Sequence, residues 1–122
     1  EIKATLSALR QAQGKQRIFC VFQPHLFSRT KLLLNDFAKS FSDADALLVA
    51  DIYAAREKND KKINSKILAK KISRHHPNAR YVDSFQSAVE ILKNESKKGD
   101  IILTMGAGDV YKVGEMIVEN KI

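Results

Sequence analysis

The sequence predicts an α/β fold with a mainly parallel sheet in the strand order 3-2-1-4. Three observations carry that reading. Ile18–Phe22, Ala46–Ala50, Arg80–Val82 and Ile101–Thr104 are short runs rich in strand-favouring residues. Between them, apolar residues recur at helical spacing, and strands alternating with helices imply parallel pairing through right-handed crossovers. The first, second and last runs also empty into polar or glycine-bearing turns. In an open α/β sheet, ligands bind outside such carboxyl ends, where the strand order reverses.

Taken in order, Ile2, Leu6 and Leu9 give a helix over about residues 1–13, stopped by Gly14. The five apolar residues from Ile18 to Phe22 read as a strand buried on both faces, and Pro24 ends it. Leu33, Leu34, Phe37, Ala38 and Phe41 predict a helix over about 29–41. After the second strand comes the polar cluster from Asp51 to Glu57, then a charged loop over 58–63. Asn64 or Ser65 caps the next helix, which runs to about His75 with Ile67, Leu68 and Ile72 facing inward. Asp83 and Gln86 have capping-box spacing ahead of a helix carrying Phe85, Ala88, Val89 and Leu92. The fourth strand ends at Thr104, Met105–Asp109 form a turn, and a last helix carries Val110, Val113, Met116 and Ile117. The sum is a three-layer Rossmann-like domain with helices on both faces.

The 122 residues are expected to form a single domain over 1–122, with no repeats and no linker. The chain opens on Glu1 rather than methionine, as a piece of a longer protein or a processed product would. No apolar run approaches the roughly 18 residues of a membrane span, so no membrane partner is expected. The lone cysteine, Cys20, lies within an apolar strand and reads as an inert buried thiol. Together these features fit a cytoplasmic protein. The net charge of +7 raises nucleic acid as a partner. The lysines between Lys58 and Arg74, however, lack interleaved aromatic residues for base stacking and read as a solvated face.

The polar turns hold the candidate site: His25, Ser28, Arg29 and Thr30 in the first, Tyr53 and Glu57 in the second, and Gly106, Ala107, Gly108 and Asp109 in the third. Arg29 is the strongest single candidate, because a guanidinium grips a carboxylate through two parallel hydrogen bonds. His25 adds a donor or orients the ligand. Tyr53 either lines a pocket or packs on the sheet edge. Glu57 and Asp51 either order lysines or a metal, or are solvated. The Gly-x-Gly turn either admits an anion to backbone N–H groups or packs a strand closely against a helix. There is no phosphate loop and no complete dinucleotide fingerprint. His75 and His76 lack further ligands, so no metal site and no catalytic residue is assigned.

Four segments, Phe22-Gln23-Pro24-His25-Leu26-Phe27-Ser28-Arg29-Thr30, Asp36-Phe37-Ala38, Asp51–Glu57 and Ile102–Asp109, resemble motifs of the Mur ligases in the family's order. They are most similar to those of its alanine-adding branch. The resemblance implies the C-terminal domain of a larger cytoplasmic enzyme whose N-terminal and central ATPase domains lie outside this sequence. In that branch ATP phosphorylates the carboxylate of UDP-N-acetylmuramate, and the amine of L-alanine attacks the acyl phosphate. The resemblance further implies that ATP and Mg²⁺ are held mainly by the central domain. With no phosphate loop of its own, this piece alone is expected to fold but to be inactive. It sets His25 and Arg29 facing the amino acid and Gly106–Asp109 at the cleft. Leu26 stands where some relatives carry arginine, so either Arg29 suffices or another residue shares its load. The competing class is a free-standing α/β module binding an anionic ligand or nucleic acid.

Overall fold

The computed structural model describes residues 1–106 and 108–119. Four parallel strands, β1 (Ile18–Gln23), β2 (Ala46–Val49), β3 (Ala79–Tyr81) and β4 (Ile101–Gly106), form one sheet in the order β3-β2-β1-β4. This is the predicted topology. β1 is central and wholly buried, and its side chains alternate between two cores. Phe19 and Val21 pack beneath α5 (Phe85–Glu95) and α6 (Tyr111–Glu119). Ile18, Cys20 and Phe22 pack beneath α1 (Ile2–Gln13) and α4 (Ser65–Ile72). Cys20 is buried, and burial alone pushes its thiol up to about 12, which keeps it protonated and unreactive.

Several boundaries differ from the sequence reading, each for a tertiary reason. β4 continues to Gly106 because β1 also runs one residue further, and Gln23 pairs with Gly106. The helix expected over 29–41 is two short ones, α2 (Phe27–Leu32) and α3 (Leu34–Ala38), broken at Leu33. The bend accompanies the packing of Phe37 and Phe41 onto Phe22, with ring centroids 5.4 and 5.1 Å apart. Phe41 is buried in the loop beyond α3 rather than on a helix. α4 is capped by Asn64, whose side chain accepts from the Ile67 N–H, and it ends at Ile72. On α4 it is Leu68, Ala69 and Ile72 that face the core, while Ile67 is exposed. The α5 cap is Ser84 rather than Asp83, which instead accepts a hydrogen bond from the Ser87 hydroxyl.

At the amino edge of the sheet, charges are tied down. Arg10 donates to the Asp45 carboxylate at 2.6 Å, and the same oxygen accepts the Ile18 N–H at 2.7 Å. Arg17 pairs with Asp100 at 2.6 Å. Among the described residues no helix is long and apolar enough to cross a membrane.

Candidate functional site

The carboxyl edge is built differently. After β1 and β2 the two chains stay paired beyond the sheet: Tyr53 N–H donates to Pro24 O at 2.8 Å and Leu26 N–H to Tyr53 O at 2.9 Å. Held this way, Leu26 has φ 66° and ψ 138°, a conformation a side-chain-bearing residue rarely adopts. Its carbonyl accepts both the N–H and the hydroxyl of Thr30, at 3.1 and 2.7 Å. Thr30 is therefore fully buried and braces the turn from behind.

Leu26 has no side-chain oxygen with which to cap α2. Glu57, from the loop after β2, supplies the cap instead. Its Oε1 accepts the N–H groups of Phe27 and Ser28 at 2.6 and 3.2 Å, and its Oε2 accepts the Ser28 hydroxyl. The Ser28 hydroxyl first, then these N–H groups, hold the Glu57 carboxyl below its ordinary range. Neither acid takes a role the sequence left open: Glu57 braces the start of α2, and Asp51 accepts the Tyr81 hydroxyl at 2.7 Å. That bond, first among its causes, raises the Tyr81 hydroxyl to about 12.

A cleft of about 510 Å³ opens between this turn, α1 and the end of β4. His25, Arg29 and Gly106 line it, so three of the sequence candidates meet there. Arg29 is exposed, and among the described residues its guanidinium has no hydrogen bond or ion pair. The His25 ring lies 6.0 Å from the Tyr53 ring, centroid to centroid, so Tyr53 sits behind His25 rather than on the cleft wall. The Tyr53 ring also covers Gly108, where a Cβ would come within 2.6 Å of it. Gly106 has φ 131°, and a Cβ there would lie 2.1 Å from the Gln23 carbonyl oxygen. Both glycines thus permit close packing of the third turn on the other two. Asp109 points elsewhere, 3.6 Å from Lys112. Ala107 lies outside the described residues.

The sequence reading missed the rest of the wall. Leu33, Asp36, Phe37 and Ser40 line the cleft beside Arg29, and Phe22 and Met105 add apolar surface from the sheet. The spacing 29, 33, 36, 37 and 40 marks one helical face and was available as a signal. The contribution of Ile2 and Thr5 from α1 had no local signal. Among the described residues no three His, Cys, Asp or Glu side chains gather where a metal ion could be held.

A parallel sheet of this order, with helices on both faces and polar turns at one carboxyl edge, defines a Rossmann-like α/β domain. The chain belongs to the Mur ligase family: residues 1–108 match the family's glutamate ligase domain. It is 52% identical over 121 residues to UDP-N-acetylmuramate–L-alanine ligase of Acetivibrio thermocellus and 53% identical over 121 residues to that of Clostridium novyi. Both alignments cover 99% of this chain, which spans 26% of the length of those relatives. Among solved structures, it superposes on a murein peptide ligase of Psychrobacter arcticus with TM-score 0.75 at 15% identity, over 99% of this chain and 25% of that one. A domain from Haemophilus ducreyi, assigned to a UDP-N-acetylmuramate:L-alanyl-gamma-D-glutamyl-meso-diaminopimelate ligase, gives TM-score 0.68 at 22% identity, over 97% of this chain and 79% of that one. At those identities the structures establish the fold alone.

Proposed function

We propose that this chain is the C-terminal domain of a UDP-N-acetylmuramate–L-alanine ligase, an ATP-dependent enzyme of bacterial peptidoglycan synthesis. In this reading the domain seats L-alanine and closes the active site against a central ATPase domain. The carrying observation is the unpaired Arg29 guanidinium, which lines the same cleft as His25. Identity to relatives bearing that name supports the substrate assignment. Arg29 binds the α-carboxylate of L-alanine with two parallel hydrogen bonds, and His25, backed by Tyr53, fixes its orientation. Neither a metal-ligating cluster nor a phosphate loop is available among the described residues to fit ATP or Mg²⁺. Both are assigned mainly to the central domain, and no step through them is derived from this chain. No nucleic-acid or membrane partner is part of the proposal.

The test is Arg29→Ala in the full-length enzyme. A charge-assisted bidentate bond is worth about 1.5–3 kcal/mol, so kcat/KM for L-alanine should fall roughly 10- to 150-fold. The constants for ATP and UDP-N-acetylmuramate should stay in place. A folded variant that keeps its L-alanine constant, or loses ATP affinity instead, refutes the assignment.

A further inference from the structure

The cleft holds a second free charge, of opposite sign. Asp36 lines it from the first turn of α3, and among the described residues its carboxylate has no hydrogen bond or ion pair. Only its backbone carbonyl is engaged, by the Ser40 hydroxyl and the Lys39 N–H. We propose that Asp36 is an ammonium subsite, so that the cleft grips a free α-amino acid at both ends. This rests on Arg29 being the carboxylate anchor.

Three features support it. Arg29 and Asp36 are seven residues apart, one on each side of the bend at Leu33, and both face the same cleft. Leu33, Phe37, Phe22 and Met105 also line the cleft, so the surface available to the ligand's side chain is apolar. Finally, Glu57 on the neighbouring loop is consumed in capping α2, whereas Asp36 lines the cleft beside Arg29 unpaired, with Glu1 of the α1 side the other acid on the cleft wall. A cation, an anion and an apolar wall in one cleft match a zwitterion with a small apolar side chain. They do not match a simple carboxylic acid or a phosphate.

The full-length enzyme tests this with L-alanine as substrate and propionate, which has the carboxylate and methyl but no amine, as competitive inhibitor. Asp36→Asn should raise KM for L-alanine about 10- to 100-fold, the range of a lost charge-assisted hydrogen bond, and leave the propionate inhibition constant and KM for ATP unchanged. Arg29→Ala should raise both the L-alanine and the propionate constants. Asp36→Glu should recover part of the L-alanine affinity. If Asp36→Asn leaves KM for L-alanine unchanged while Arg29→Ala raises it, the ammonium subsite is wrong and the carboxylate anchor stands. If neither variant moves it, the underlying reading fails as well. Wild-type enzyme that binds propionate as tightly as L-alanine overturns the proposal without any variant.

Discussion

Gly106→Ala is the sharpest probe of how the edge is assembled. The added Cβ would lie 2.1 Å from Gln23 O, 3.0 Å from its carbonyl carbon and 3.1 Å from its nitrogen. These are backbone atoms of the central strand, which cannot rotate away as a side-chain end would. Relief therefore requires β4 to part from β1 where Gln23 pairs with Gly106. Overpacking of this kind costs about 1–3 kcal/mol. The backbone at φ 131°, a region occupied essentially by glycine, adds about 1–3 kcal/mol for a residue bearing a Cβ. The sum, roughly 2–6 kcal/mol, is a large share of the about 5–15 kcal/mol that stabilises a typical domain. Gly14→Ala is the control, because it too has a positive φ, 63°, but nothing lies within 4 Å of its Cβ. Urea unfolding of the isolated domain compares the two midpoints, with the denaturant slope checked for constancy. A loss no larger for Gly106→Ala than for Gly14→Ala would show that the Gln23 carbonyl yields and that close approach is not why glycine stands there.

Two further perturbations act on single braces. Glu57→Gln keeps an acceptor oxygen and removes the charge at the start of α2, so its thermal midpoint at pH 7 should fall below wild type. Because the fold lowers the Glu57 pKa from its ordinary 4.5, the stabilisation is present above that value and lost as pH falls through the folded value; the difference between the two proteins should vanish in strong acid. A gap that stays constant down to pH 2 would refute the linkage. His76→Ala removes a buried ring whose Nδ1 accepts the Asn78 N–H at 3.0 Å while Nε2–H donates to Ala44 O at 2.6 Å. Two stranded backbone groups and a cavity should cost about 2–4 kcal/mol in chemical denaturation, and a loss below 1 kcal/mol would mean water replaces the ring.

The strand order and the seat of Arg29 and His25 were legible because both follow from local pattern: a buried strand, a proline stop and a polar turn. What escaped the sequence was mostly contact at a distance. The capping role of Glu57 has no local signal, because the N–H groups it caps lie 30 and 29 residues away. The break at Leu33 is invisible in a periodicity that stays apolar through Phe41, since it accompanies the gathering of Phe37 and Phe41 on Phe22. Hydrophobicity alone points Ile67 inward, whereas Ala69 takes the core position. Asp36 is the instructive omission: its spacing from Arg29 was readable, but only the cleft shows the two sharing a space.

The pairing of Tyr53 with Pro24 and Leu26, the reach of Glu57 to Phe27 and Ser28, and the Tyr53 ring over Gly108 interlock three loops that are far apart in the chain. Their conformational freedom is surrendered when the domain folds, so the edge is already arranged before anything binds to it. That makes the interlocked set the unit of transplantation. Moving the His25–Thr30 turn alone onto another parallel sheet would leave Leu26 without Tyr53 and α2 without its cap, and the turn would relax. Grafting it together with residues 51–57, Gly106 and Gly108 carries the geometry along. Substitutions within the set should likewise couple in double-mutant cycles, while those in the amino-edge ion pairs should add independently.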